Sequence, residues 1–314
     1  MTARAVVLGG TGFVGRHVCD ALARAGYRVT VVGRGRAPAL DLSTASTAQL
    51  HAALAAVRPA LVVNAAGAVW RPDPGEVEPV NTGLVARLVD AVERLPGRTR
   101  LVQLGTVHEV GPVPPGTPIR ESTPPHPVSP YGRTKLAATR LVLAAAAAGR
   151  VDAVVLRTVN AIGAGMPAAS LFGGVAAELA QAARAGATAV LRTGRLAAEC
   201  DFVDVRDVAA AVCAAATRAP AGGALVNIGR GEAVPVDRLV RDLVAISGVP
   251  TELSDRDGPG AANATGVRWQ AVDVTVARRL LGWRPRRPLL DSLHTLWAAA
   301  SPVPAAPASR REPA

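Results

Sequence analysis

Two scarce side chains stand one helical turn apart in this sequence. Of its 35 basic residues only Lys135 is a lysine, and Tyr131 is one of two tyrosines, the other being Tyr27. Positions i and i+4 share a helix face, so the phenol and the ammonium project together. A free phenol titrates at about pH 10 and needs a neighbouring cation to exchange protons at neutral pH. Lys135 can supply that charge and can also reach the ribose of a bound nucleotide. A tyrosine paired in this way can give a proton to a carbonyl oxygen or take one from an alcohol.

A second constellation lies near the start of the chain. Gly9, Gly12 and Gly15 have the spacing G-x-x-G-x-x-G between an apolar run, Ala3 to Leu8, and a helical pattern through Val18, Leu22 and Ala25. Glycines at such a turn let the backbone approach a pyrophosphate, and the following helix start offers free N–H groups and a positive dipole end. The junction predicts a dinucleotide site built from Gly9, Thr11, Gly12, Phe13, Val14 and Gly15. The next strand ends Val31-Val32-Gly33-Arg34-Gly35-Arg36. An acidic residue there would bind the ribose 2′-hydroxyl of NAD, and none is present. Arg34, helped by Arg36, can instead pair bidentately with a 2′-phosphate, so the expected cofactor is NADP(H).

These groups need a scaffold, and the hydrophobic pattern supplies one. Arg28 to Val32, Leu61 to Asn64, Arg100 to Leu104 and Val151 to Leu156 read as further buried strands. Helices are expected near Thr47 to Ala56, Pro79 to Arg94 and Tyr131 to Ala148. Alternating strand and helix implies an α/β fold of the Rossmann type, a doubly wound parallel sheet with helices on both faces. Residues 1–157 are expected to form the NADP-binding domain, with a later segment, about 200–230, returning to it. Residues 158–300 should form mainly a smaller C-terminal substrate lobe. There, loops at Gly163 to Met166, Gly173-Gly174 and Asp255 to Gly266 alternate with helices near Gly174 to Ala185 and Val236 to Ser247 and a strand near Ala224 to Ile228. The Pro- and Ala-rich stretch from Ser301 to Ala314 reads as a disordered tail.

Composition narrows the function classes. With 314 residues, 49% hydrophobic and 19% charged, the chain can bury a large core. Cys19, Cys200 and Cys213 are odd in number, far apart and without zinc-site spacing, which fits a reduced cytoplasmic compartment, small buried thiols and no metal. No apolar run is long enough to span a bilayer and no basic leader precedes the first strand, so neither membrane insertion nor export is expected. The net charge of +11 comes from scattered arginines without an aromatic platform or a basic helix. That argues against nucleic acid and for a phosphate-bearing small molecule.

Five ordered motifs carry a resemblance. Gly9-Gly10-Thr11-Gly12-Phe13-Val14-Gly15, Asn64-Ala65-Ala66-Gly67, Tyr131-Gly-Arg-Thr-Lys135, Arg157-Thr-Val-Asn160 and Asp201-Phe-Val-Asp204-Val-Arg-Asp207 together resemble the extended short-chain dehydrogenases, the NAD-dependent epimerase/dehydratase family. Leu280-Leu281-Gly282-Trp283 resembles that family's late leucine-glycine-tryptophan element. The resemblance implies that Tyr131, tuned by Lys135, exchanges a proton with the substrate oxygen while hydride passes to or from the nicotinamide. Aligning Gly111 with the family's tyrosine-glycine puts Thr106 in the position of the hydroxyl that polarises the same oxygen. It also implies cofactor contacts from Asp41, Leu42, Ala65, Ala66 and Gly67. Asn81 corresponds either to the family asparagine that orders a structural water or the helix, or to a simple surface polar residue.

Two departures from the family pattern bear on substrate. Dehydratases follow the threonine with an aspartate and a glutamate, and this chain has Val107 and His108. Valine transfers no proton, which disfavours elimination. Arg34 suits a reductase that draws NADPH from a pool, and the expected reaction is reduction of a nucleotide-linked 4-keto-6-deoxyhexose in deoxysugar or antibiotic biosynthesis. His108, Asn160, Arg192, Arg195 and Arg230 are the expected substrate contacts beside Thr106. Cys200 replaces the arginine that often precedes Asp-Phe in family members binding a nucleoside diphosphate, which keeps a small diphosphate-free carbonyl substrate open. A sugar-nucleotide epimerase is a further alternative, and a non-catalytic NADP-sensing protein is the alternative of a different class. The resemblance also implies a homodimer through the helices bearing Asn81 and Tyr131.

Overall fold

A computed structural model describes residues 2–35, 39–68, 77–193, 196–218, 223–254 and 267–301. Arg36, Arg195, the 255–266 stretch and the tail after Ser301 lie outside the described residues. The N-terminal half runs β1 (Arg4–Leu8), α1 (Phe13–Arg24), β2 (Arg28–Val32), α2 (Thr47–Val57) and β3 (Leu61–Asn64). A π-helical turn (Pro79–Gly83) then leads into α3 (Leu84–Glu93), β4 (Arg100–Thr106), a single 3-10 turn (Val107–Glu109), α4 (Pro130–Ala147) and β5 (Asp152–Thr158).

Next come β6 (Asn160–Ile162), α5 (Leu171–Ala185), β7 (Ala189–Arg192), β8 (Glu199–Asp204), α6 (Val205–Arg218) and β9 (Ala224–Ile228). The chain ends through β10 (Ala233–Pro235), α7 (Val236–Ser247), β11 (Thr251–Ser254), β12 (Trp269–Gln270) and α8 (Leu289–Ala300). None of the described helices is long and apolar enough to cross a membrane.

Six strands form one parallel sheet in the order β2-β1-β3-β4-β5-β9. The strand period of two decides what covers it. In β1, Ala5 and Val7 pack with Val18 and Leu22 of α1 and Val208 and Val212 of α6 on one face. Val6 and Leu8 pack with Leu50 and Leu54 of α2, Leu84 and Leu88 of α3 and Val142 of α4 on the other. Both faces are therefore buried, as a parallel sheet requires. β1 lies between β2 and β3, so the connections leave it in opposite directions, and a crevice opens outside the carboxyl ends of β1 and β3.

The smaller lobe has its own core, where Phe172 and Leu179 of α5 meet Leu239 and Leu243 of α7 and Leu293 and Leu296 of α8. Its sheet has the order β10-β8-β12, with β6 also pairing β8, and β7 and β11 pair separately. Within 200–230 the chain divides, since β8 belongs to the lobe while α6 and β9 pack on the main sheet. Gly173 and Gly174 differ from the loop expected there. They lie in the first turns of α5, because the Ser170 side chain accepts the Gly173 N–H at 3.2 Å and starts the helix earlier.

Three buried aspartates of the Asp201–Asp207 motif join the two parts. Asp201 accepts the N–H groups of Arg230 and Gly231, both at 2.9 Å, and of Val272 at 3.3 Å. Asp204 accepts the Ser292 hydroxyl at 2.8 Å and pairs with Arg206. Asp207 accepts the N–H groups of Arg286 and Arg287, both at 2.9 Å, and pairs with the Arg287 guanidinium. The indole of Trp283 donates to the Asp207 carbonyl at 3.0 Å, so the late leucine-glycine-tryptophan segment is anchored on the same motif.

Candidate active site

The chemical groups gather where β4 ends against the start of α4. Pro130 stands in the first turn of α4, and the Ser129 side chain accepts the Gly132 N–H at 3.0 Å, which caps the helix just before Tyr131. A methyl at Gly132 would collide with the His108 carbonyl, so only glycine lets α4 press this closely on the turn after β4. Thr106, the last residue of β4, is buried, and its hydroxyl faces the Tyr131 side chain closely enough to pull the phenol down. The Tyr131 and His108 rings meet edge to face with centroids 6.1 Å apart. Lys135 is buried one turn further along, and its ammonium donates to the Leu104 carbonyl at 2.6 Å.

Electrostatics at Tyr131 differ from the expectation drawn from Lys135. Burial pushes the phenol well above its ordinary value, the Thr106 hydrogen bond pulls it down, and the charge of Glu109 pushes it up. The lowering group is thus the Thr106 hydroxyl, while the Lys135 ammonium is spent on a backbone carbonyl. Lys135 itself is pushed down by burial and supported by Glu109. Burial also lowers His108, whose bond to Asn160 works in the opposite sense, so the imidazole is mainly neutral at neutral pH.

The glycine turn forms the other wall. Gly12 caps α1 without any side-chain hydrogen bond, which leaves the first helical N–H groups open to a ligand. At Gly9, φ is +74°, and a Cβ there would stand 2.6 Å from the Ala66 nitrogen. A methyl at Gly15 would collide with the Gly9 carbonyl. This cradle fits the pyrophosphate of a dinucleotide, with Ala65 and Ala66 following directly from β3. Arg34 is exposed in the turn that follows β2. Asp41 accepts the Ser43 N–H at 3.0 Å and its hydroxyl at 2.6 Å, while Arg87 holds the carbonyls of Leu42 and Ser43.

Asn81 is no surface residue. It is buried in the π-helical turn, where its side chain accepts the Ala68 N–H at 2.9 Å and donates to the Ala68 carbonyl at 3.1 Å and to the Thr134 hydroxyl at 3.2 Å. It therefore ties the Ala65–Gly67 wall to the helix that carries Tyr131. Asn64 adds a second link, donating to Gln103 at 2.9 Å, whose amide in turn reaches the Leu104 carbonyl used by Lys135.

On the lobe side, Asn160 faces His108, whose imidazole it pushes up, and donates to the Asp201 carbonyl at 3.3 Å and the Gln270 side chain at 3.5 Å. Arg230 leaves the turn that Asp201 fixes, and its guanidinium donates to the Arg287 carbonyl at 3.0 Å. Arg192 ends β7 on the separate two-stranded sheet, and no hydrogen bond or ion pair among the described residues joins it to Asn160 or Arg230. Cys200 is half-buried against the lobe core, where burial pushes its thiol up to about 11. It acts there as a small apolar side chain. None of the three cysteines forms a disulfide.

Sequence reasoning missed two residues. Gln270 is buried beside Asn160, with its amide nitrogen unpartnered among the described residues, and nothing in the sequence around it signals this. Glu109 lies fully buried behind the Thr106–Tyr131 pair, and the spacing Thr106-x-x-Glu109 of a capping box was its available signal.

Proton-transfer groups on the rim of a dinucleotide crevice define a Rossmann-type oxidoreductase, and comparison with known proteins agrees. The chain belongs to the NAD-dependent epimerase/dehydratase family, which it matches over residues 5–229. It is 45% identical over 312 residues to a dTDP-6-deoxy-L-talose 4-dehydrogenase (NAD(P)(+)) from Kitasatospora kifunensis, covering 97% of this chain and 98% of that one. It is 30% identical over 325 residues to a UDP-glucose 4-epimerase from Azospirillum brasilense, covering 92% and 89%. Among solved structures, RMD from Pseudomonas aeruginosa complexed with NADPH superposes with a TM-score of 0.81 at 25% identity, covering 96% of this chain and 98% of that one.

Proposed function

We propose that this protein is an NADP(H)-dependent oxidoreductase acting at carbon 4 of a nucleotide-linked 6-deoxyhexose, working as a 4-ketoreductase. The observation that carries this reading is the hydroxyl pair of buried Thr106 and half-buried Tyr131 beside the glycine crevice, followed by Val107 and His108. The pair can serve a carbonyl or alcohol oxygen, whereas Val107 transfers no proton and leaves an elimination without its acid–base pair. The Kitasatospora relative is named for a 4-dehydrogenation, and a dehydrogenation and a ketoreduction at the same carbon are one hydride transfer run in opposite directions.

Gly9, Gly12, Gly15 and the open N–H groups of α1 would hold the pyrophosphate, and Arg34 the 2′-phosphate. When bound, the nicotinamide supplies the hydride that converts the carbonyl carbon to a carbinol. Thr106 hydrogen-bonds the carbonyl oxygen, and Tyr131 donates its phenolic proton to that oxygen as the carbon is reduced, later recovering a proton from solvent. Lys135 holds positive charge behind the phenol. His108 and Asn160 meet sugar hydroxyls, and Arg230, with Arg192 and Arg195 as further candidates, meets the diphosphate. The homodimer implied by α3 and α4 belongs to the same reading and is checked by the molar mass in solution.

The test is stoichiometric. A nucleotide-linked 4-keto-6-deoxyhexose offered with NADPH should consume one NADPH per sugar and yield the 4-hydroxy product by mass. Interconversion of 4-epimers without net NADPH consumption would make the chain an epimerase. Preference for a diphosphate-free ketone would mean that Cys200 marks a different substrate class.

A further inference from the structure

Behind the acid–base pair lies a carboxylate with no place in the mechanism so far. Glu109 follows Thr106 by three residues and is fully buried. One of its oxygens accepts the Thr106 N–H at 2.8 Å, and the other lies 3.7 Å from the Arg157 guanidinium, itself only 3% exposed. Arg157 stands directly across from Gly105 in the β4–β5 register. A Cβ at Gly105 would stand 2.7 Å from Glu109 Oε1 and 3.3 Å from the Thr139 hydroxyl, so glycine is what admits the carboxylate here. Tyr131, Lys135 and Thr139 follow one another at four-residue intervals on a single face of α4, and Thr139 meets the carboxylate's surroundings at Gly105.

Lys135 and Thr139 act on Glu109 from α4, Arg157 from β5 and the Thr106 amide from its own turn. Glu121 interacts with Arg157 and accepts the Asn227 N–H at 2.8 Å. The result is a row of alternating charge from buried Lys135, Glu109 and Arg157 to half-buried Glu121. A buried carboxylate costs several kcal/mol unless it is paired, so its presence beside two scarce buried cations calls for a role.

We propose that Glu109 is a positioning residue of the acid–base site: it pins the Thr106 backbone and is the counter-charge that keeps Lys135 an ammonium behind Tyr131. The inference rests on the acid–base reading of Tyr131 given above. Its sign is the same at both groups, because the carboxylate raises Tyr131 and Lys135 alike and so holds each in its protonated form. That is the form required for donating a proton to a carbonyl oxygen. Burial pushes Glu109 itself up, and the Thr106 amide, Arg157, Lys135 and Thr139 oppose that push.

Glu109→Gln keeps the shape and the acceptor for the Thr106 N–H but removes the charge. It should lower kcat about tenfold or more and move the basic limb of the kcat–pH profile down by about one pH unit, with KM for NADPH and sugar nearly unchanged. Because Lys135 is the only lysine, lysine labelled with 15N at Nζ gives one side-chain resonance whose titration reports that ammonium directly. In Glu109→Gln this resonance should titrate at lower pH than in the wild type. A lower kcat with an unmoved limb and an unmoved Nζ titration would reduce Glu109 to a structural residue and overturn the proposal.

Should Glu109→Gln not fold, the wild-type resonance decides. An ammonium through neutral pH is expected, and a neutral amine at pH 7 overturns the counter-charge. Unimpaired turnover by Tyr131→Phe would instead sink the acid–base reading, and the Nζ titration would still report on Glu109 by itself.

Discussion

Burial alone works against proton transfer at Tyr131, and the neighbouring Thr106 hydroxyl is what offsets it. Both hydroxyls should therefore be needed at the substrate oxygen. Tyr131→Phe should lower kcat by about 10²–10⁴-fold while NADPH binding, measured by fluorescence titration, stays within about twofold. Near-normal turnover would remove the phenol from the mechanism. On the cofactor side, Arg34 is exposed beyond β2, where a charge-assisted pair with a 2′-phosphate is worth about 1.5–3 kcal/mol. Arg34→Ala should weaken NADPH binding about tenfold or more and leave NADH nearly unaffected, and equal losses for both would contradict the role given to it. Tyr131 and Lys135 were legible in the sequence because each is scarce and their spacing is helical. Gln270 was not, and Glu109 only as a capping-box spacing, because their meaning comes from burial and from partners on β5, α4 and β6 that no local pattern specifies.

Elements place these residues through a few close approaches of backbone. The Gly9–Gly15 turn brings β1, the start of α1 and the end of β3 into contact, and the carbonyl of Gly9 occupies the space that a side chain at position 15 would need. Gly15→Ala should therefore displace the turn and weaken NADPH at least about tenfold, with isothermal titration as the readout. Affinity within about twofold of wild type would show that the cradle does not grip the pyrophosphate. Most of the main sheet could be read from apolar runs punctuated by Gly26 and the polar turns, since strands buried on both faces carry a strong local signal. The lobe was less legible. Its strands β6, β10 and β12 span two or three residues, too short for any period to register, and α5 begins at Ser170 because a side-chain cap outweighs the glycines that follow. The π-helical turn holding Asn81 was equally hidden in an ordinary helical pattern.

At the scale of the whole molecule, the two parts are joined through the Asp201–Asp207 motif, and that joint carries a pH dependence. Burial raises the Asp201 carboxyl to about 6 although three backbone N–H groups and Arg230 oppose it. A carboxyl raised in the fold contributes stability at pH below its unfolded value, and that contribution is lost as pH rises through about 6. Wild type should thus lose up to about 3 kcal/mol from this group between pH 4 and 7, a component absent from Asp201→Asn. Thermal unfolding of the two proteins across that range should show their difference changing in this sense, and a constant difference would refute the assignment. The lobe that the joint orients brings Asn160 up to His108, whose ring meets Tyr131, and the proposed reaction depends on that assembly. The most direct test is isotopic: NADPH carrying deuterium at the transferable position of its nicotinamide, turned over with a nucleotide-linked 4-keto-6-deoxyhexose, should leave one deuterium on carbon 4 of the product sugar. A product without label, or with label at any other carbon, would contradict hydride transfer at that centre.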